Sequence, residues 1–242
     1  MKMILSIIGT TLSLSLIFSG CSKSSEDEFN NANGPIAEKY ISQFEIVSTD
    51  VSENKTYVVN YDGENRVSSI IDGTEATLFN YNTTNNLATV TSEGEVLDVN
   101  DLYQSPYDAF ETGTVLEYDT KGNPKKIEVY EDGYNSELLV GDITYDPAPN
   151  PFFYTLKAAR VIDVLDRVDL NFGPQSPSLI KAKLLLPYNN IKSMIFKDIA
   201  GNTKYEVQIA STYDAENYPT RATVTAISTE ETKSYLVKYF YK

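Results

Sequence analysis

The stretch Tyr61-Asp62-Gly63-Glu64-Asn65-Arg66-Val67-Ser68-Ser69-Ile70 is one complete unit of a pattern that recurs along the chain. The template is an aromatic, Asp or Asn, two variable residues, Gly or Asn, one variable residue, an apolar residue or Pro, two variable residues, and an apolar residue. Tyr81-Asn82 leads in the same way to Asn85, Leu87 and Val90. Tyr118-Asp119 leads to Gly122, Pro124 and Ile127, and Tyr213-Asp214 leads to Asn217, Pro219 and Ala222. Tyr145-Asp146 begins a degenerate copy through Asn150 and Pro151.

This order of residue types reads as a β-hairpin. The aromatic ends one strand. The Asp or Asn side chain folds back on the following amides and starts the turn. The Gly or Asn takes the positive φ that other residues resist, and the next strand follows. Hairpins chained in this way pair sequential neighbours and make an antiparallel meander.

The sequence around the repeats agrees. Lys39 to Val47 and Thr114 to Tyr118 alternate polar and apolar residues, as strands with one buried face do. The chain has 18 Tyr and no Trp, and a Tyr ring with its wet hydroxyl suits a half-open sheet face. We therefore expect a mainly β fold over residues 35–242: one curved antiparallel meander, partly closed, of roughly eight to twelve strands. Charges on the outward face argue against a seat within the bilayer.

One segment departs from the strand pattern. Ala158, Val161, Ile162, Leu165 and Val168 form one helical stripe between Thr155 and Leu170. Asp163 and Arg167 are spaced as an i,i+4 pair, Thr155 is placed to cap the start, and Gly173-Pro174 follows the end. The pattern predicts one short amphipathic helix covering a face of the sheet.

The N-terminus reads differently again. Lys2 precedes a greasy run from Met3 to Phe18, and small residues lead to Cys21, the only cysteine. The run falls short of the roughly 20 apolar residues a membrane span needs. It resembles a bacterial lipoprotein signal over residues 1–20, with acylation of Cys21 after cleavage. Each buried methylene then adds about 0.8 kcal/mol of membrane affinity, and more than one chain anchors stably. Residues 21–34 are polar and Asn-rich and are expected to be a disordered tether. Within them, Glu26-Asp27-Glu28 resembles the acidic export signal of some Bacteroides-type lipoproteins; a merely solvated linker is the alternative.

Composition excludes several functions. Removal of residues 1–20 leaves 19 Lys+Arg against 34 Asp+Glu, a balance that repels phosphate backbones, so no nucleic acid partner is expected. There is no His, and Cys21 is reserved for lipid, which removes Ser-His-Asp and Cys-His catalysis and most zinc sites. No phosphate-binding or dinucleotide-binding glycine pattern occurs, so no cofactor is expected.

A glycosidase-type carboxylate pair remains as the enzymatic option. The densest acidic stretch, Glu93, Glu95, Asp98 and Asp101, is better read as a solvated strand edge or loop. Asp98 to Asp101 and Asp119 to Asn123 are loosely calcium-like, but neither matches the twelve-residue loop, and turn formation is the favoured role. No metal site is assigned.

Two aromatic groups suggest ligand contact. Tyr103 and Tyr107, with Phe110, flank Pro106 in a segment of little strand character and are the candidate ligand-binding residues, as a stacking platform for sugar rings. Phe152, Phe153 and Tyr154 cluster beside Pro151; for Phe152 and Phe153 the favoured role is core packing.

The Tyr-Asp-x-x-Gly hairpins resemble YD repeats, the β-hairpin units of Rhs and teneurin-type shells. A likeness of wider extent lies in the order of Tyr145-Asp146, Asn150-Pro151-Phe152, a helical excursion, Asn189-Asn190-Ile191, and Tyr213-Asp214 to Tyr218-Pro219-Thr220. That order resembles a family of Bacteroides-type lipoproteins of unknown function. The resemblance implies a porin-like meander and an outer-membrane lipoprotein on the periplasmic or cell-surface side. It implies no activity and no functional residues. The expected function is a lipid-anchored, non-enzymatic envelope protein that binds a glycan or an envelope-protein partner. The alternatives are a carboxylate-dependent glycoside hydrolase or lyase, and a structural spacer.

Overall fold

A computed structural model describes residues 23–109, 112–130, 137–173 and 179–242. The signal segment, Cys21, Phe110 and Pro174 lie outside the described residues. The first strands are β1 Ile41–Ser48, β2 Lys55–Tyr61, β3 Val67–Asp72, β4 Glu75–Tyr81, β5 Leu87–Ser92 and β6 Glu95–Asp98. There follow β7 Tyr107–Asp108, β8 Gly113–Tyr118, β9 Pro124–Tyr130, β10 Leu138–Pro149, β11 Asp169–Asn171 and β12 Leu179–Lys181. The chain closes with β13 Asn189–Lys197, β14 Thr203–Tyr213, β15 Pro219–Ser228 and β16 Thr232–Tyr241.

Among the described residues, thirteen strands form one antiparallel sheet in the order β6-β5-β4-β3-β2-β1-β16-β15-β14-β13-β10-β9-β8. The fold is the expected meander, somewhat larger than the eight to twelve strands read from the repeats. Two meander arms are joined where β1 meets β16, with Phe44 opposite Tyr239. The sheet does not close: β6 and β8 remain as edges, so the expected partial closure is corrected to an open sheet. A small sheet pairs β12 with β11 and β11, in parallel, with β7.

The repeat turns form as their residues dictate. Asp62 Oδ1 accepts the amides of Glu64 and Arg66 at 2.9 Å each, and Asn65 has φ of 65°. Asn82, Asp119 and Asp214 repeat this, followed by Asn85, Gly122 and Asn217 with φ of 67°, 87° and 66°. Strand directions place all four turns at one end of the sheet. A fifth turn of the same kind begins at Asp198, which accepts the Asn202 amide at 2.8 Å, with Gly201 at φ 88°; it lies at the opposite end. Lys197 there replaces the aromatic, so the template passes over it.

The degenerate copy at Tyr145-Asp146 is not a hairpin. The position that needs positive φ is Pro149, whose ring fixes φ near −65°. The strand therefore runs on to Pro149, and Asn150 turns the chain into the helical excursion, its Oδ1 accepting the Phe152 amide at 3.0 Å.

The single helix expected over Thr155 to Leu170 is also corrected. It is two short helices, Phe153–Ala158 and Val161–Leu165, broken at Arg160 in the left-handed region. One straight helix presents one stripe, whereas this segment feeds separate clusters. Phe153 and Tyr154 pack with Tyr188 and Tyr218, Ala159 packs with Ile41, Val59 and Val67, and Val164 and Val168 pack with Leu87 and Leu170. Thr155 does not cap; its Oγ1 accepts the Ile41 amide at 2.9 Å and ties the first of these helices to β1. Asp163 lies 4.0 Å from Arg160 rather than pairing with Arg167.

The expected tether is corrected most strongly. Residues Ser25–Asn33 form a helix closed by a capping box between Ser24 and Asp27. This helix is the N-terminal one of the described chain. Its Phe29 is fully buried and stacks on Phe153 with ring centroids 3.7 Å apart. The acidic triad is engaged: Asp27 caps, Glu26 binds Lys157 at 2.7 Å, and Glu28 accepts the Tyr188 hydroxyl. A buried amide network locks the helix to the sheet. Asn123 Oδ1 accepts the amides of Tyr188 and Asn189 at 2.7 and 3.0 Å, and Asn189 Nδ2 donates to Asn33 at 2.8 Å. Together these bonds leave the buried carboxamides satisfied.

Candidate functional site

The remaining short helix, Asp101–Gln104, and β7 carry the tyrosines singled out in the sequence. They have different surroundings. The Arg167 guanidinium lies 3.8 Å from the centre of the Tyr103 ring, so one face of that ring is taken by a cation. Burial raises the Tyr103 hydroxyl above its ordinary range. Tyr107 is 55 % exposed and borders a pocket of about 400 Å³ that Tyr103 does not line. That pocket is walled by Leu102, Val164, Val168, Leu170 and Ala182. Such a wall has nothing to satisfy a sugar hydroxyl, and burying one there is unfavourable. The expected stacking platform of Tyr103 and Tyr107 therefore becomes an aliphatic pocket with one tyrosine at its rim.

The other aromatic group went the favoured way. Phe153 is fully buried in the core, and Phe152 meets Phe44 and Tyr239 edge-on.

A larger cavity, about 700 Å³, lies at the end of the sheet away from the helices. Cross-strand register carries the helix-bearing face out to it. Phe44 faces Tyr239; three steps of two along β16 lead past Tyr235 to Lys233, which is opposite Ala226. Ala226 is opposite Val207, Tyr205 is opposite Phe196, and Phe196 is opposite Gly141. The cavity thus opens on the same face as the core, where the helical excursion no longer covers it. Sequence reading missed it because its walls come from six strands, β9, β10 and β13 to β16, far apart in the chain.

Gly141 makes room for the Phe196 ring at the cavity wall. A Cβ at Gly141 would lie 2.6 Å from Phe196 Cε1 and 3.0 Å from Ile127 Cγ1. Phe196 and Tyr205 offer ring surface, while Ser228, Glu231 and Lys233 offer polar atoms. Lys233 is held by Glu53 at 2.8 Å and Glu231 at 3.7 Å. Those bonds, with Glu53 first, raise the Lys233 ammonium and keep it charged, and the Lys233 bond lowers Glu53.

Other candidates read from the sequence hold no ligand geometry. Glu93, Glu95 and Asp98 are exposed at the β5–β6 turn and the β6 edge, and Asp101 is exposed at the start of the short helix Asp101–Gln104. Asp98 Oδ1 accepts the Asn100 amide at 2.9 Å, and Asp119 accepts from Lys121 and Asn123, so both calcium-like stretches spend their oxygens on turn amides. No group of three or more His, Cys, Asp or Glu side chains converges as a metal site among the described residues.

Comparison with known proteins gives distant likeness only. No protein-family model matches the chain, and no curated protein matches it in sequence. A solved porin-like protein from Bacteroides uniformis is similar at a TM-score of 0.41 and 12 % identity, over 86 % of this chain and 99 % of that one. A porin-like protein from Bacteroides vulgatus gives a TM-score of 0.39 and 12 % identity, over 85 % and 99 %. A LolA superfamily protein from Nitrosomonas europaea gives a TM-score of 0.26 and 11 % identity, over 90 % and 92 %. Likeness at this level says nothing of ligand or activity.

Proposed function

We propose that this chain is a lipid-anchored, non-enzymatic binding module of the cell envelope, tethered to the outer membrane through Cys21, that holds a glycan in the open end of its sheet. The anchor rests on the lipobox-like run before Cys21. The binding role rests on one observation: a cavity of about 700 Å³ that sets the rings of Phe196 and Tyr205 beside Ser228, Glu231 and Lys233. Its volume falls within the roughly 300–1,000 Å³ of small-molecule sites. Ring faces beside paired charges and hydroxyls suit a sugar, which has apolar C–H faces and needs partners for its hydroxyls.

Calorimetric titration of the full chain with a panel of envelope and dietary oligosaccharides tests this. Saturable binding is expected, weakened about tenfold, or 1.4 kcal/mol, in Tyr205→Ala. Binding that is indifferent to Tyr205→Ala and Lys233→Ala, or the absence of binding across the panel, refutes the glycan reading.

A further inference from the structure

The aliphatic pocket beside Tyr107 lies next to the place where the anchored end of the chain enters the fold. Ser25 donates to the Asp166 carboxylate through its amide at 3.2 Å and its hydroxyl at 2.6 Å. The Lys23 carbonyl accepts from the Lys183 ammonium. Asp166 follows Leu165 and precedes Val168 by two residues, and both neighbours line the pocket. Lys183 follows Ala182 and precedes Leu185 and Leu186, which line it too. The residues that grip the start of the described chain are thus interleaved with the residues that wall the pocket.

From this we infer that an acyl chain carried on Cys21 occupies the pocket. Cys21 stands two residues before Lys23. Two extended residues span about 7 Å, and a fatty acyl chain on the sulfur or amine adds a reach well beyond that. The occupant's chemistry matches the wall: the lining is Leu, Val, Ala and Pro with one tyrosine, and the volume is about 400 Å³. Methylenes leave water there without stranding a polar group. The helix Ser25–Asn33 holds this end of the chain against the body through the buried Phe29, so Lys23, two residues after Cys21 in the sequence, is fixed beside the pocket.

The inference rests on the proposed lipidation of Cys21, and its test separates the two. In intact cells making the full chain, benzoylphenylalanine replaces Leu185, which is 42 % exposed at the pocket, or Ile199, which is 84 % exposed at the opposite end of the sheet. After irradiation and proteolysis, mass spectrometry reads what each position has captured and what the N-terminal peptide carries. Position 185 is expected to be joined to the acyl group on Cys21 of the same chain, several-fold more than position 199. Capture of phospholipid alone would mean that the pocket faces the bilayer, and overturns the inference. Capture no greater than at position 199, with lipid present on Cys21, overturns it as well and leaves the anchor intact. An N-terminal peptide without lipid removes the occupant and refutes both anchor and inference.

Discussion

The Tyr81 hydroxyl donates to the Val67 carbonyl at 2.6 Å, linking the first position of one repeat to the strand start of the repeat before it. The same bond joins Tyr61 to Ile41 at 2.7 Å, Tyr145 to Pro124 at 2.7 Å and Tyr241 to Pro219 at 2.8 Å. At three template first positions, Tyr61, Tyr81 and Tyr145, the aromatic is therefore a clamp to the neighbouring strand, beyond the strand-ending role its place in the template suggests, whereas Tyr213 donates to Asp146 instead. Burial pushes the Tyr81 hydroxyl up to about 12, so it remains a donor across the physiological range.

Tyr81→Phe keeps the ring and deletes the donor. It should lower stability by about 1 kcal/mol, the usual net value of one such bond. Urea unfolding followed by circular dichroism should show a lower midpoint at unchanged m-value.

Acid should weaken the turns. Although burial raises the Asp214 carboxyl, the Lys39 bond and the amides of Tyr218 and Glu216 outweigh it and hold the carboxyl below the usual range. Asp198 is lowered chiefly by Asn202. A carboxyl lowered in the fold contributes stability above its unfolded pKa, and that contribution is lost as pH falls through the folded value. The melting temperature should therefore drop between about pH 5 and about pH 3. Asp214→Asn should flatten that drop while keeping the turn, because Asn82 already serves as the acceptor in the equivalent place.

Phe29→Ala removes a fully buried ring that stacks on Phe153. Substitutions of this kind cost about 3–5 kcal/mol. The helix Ser25–Asn33 has few other apolar anchors, so limited proteolysis should cut within it in the variant and spare it in the parent chain.

Gly141→Ala would press a methyl against Phe196 and Ile127. Overpacking of this sort costs about 1–3 kcal/mol. The displaced Phe196 ring should also narrow the cavity, so affinity for any ligand held there should fall further than stability alone explains. Thermal melts and titration on the same preparation separate the two effects.

The turns were legible in the sequence because their physics is local. An Asp or Asn that bonds amides two and four residues on, and a Gly or Asn with positive φ, involve only a handful of neighbouring residues, and alternation then fixes the faces of the strands. That was enough for a mainly β antiparallel meander. It failed where one local residue was wrong for the turn, as with Pro149, or where the aromatic marker was missing, as at Asp198. What only the tertiary structure decided depends on residues far apart. Phe29 makes a helix of an Asn-rich segment because Phe153 waits for it, and Arg167 reaches over Tyr103. Cross-strand register brings Tyr205, Phe196 and Lys233 around one cavity. The aliphatic pocket likewise joins Leu102 to Leu186 only once the helical excursion folds back. Burial and register are properties of pairs of distant residues, and a pattern read along one chain contains the members of each pair without their meeting.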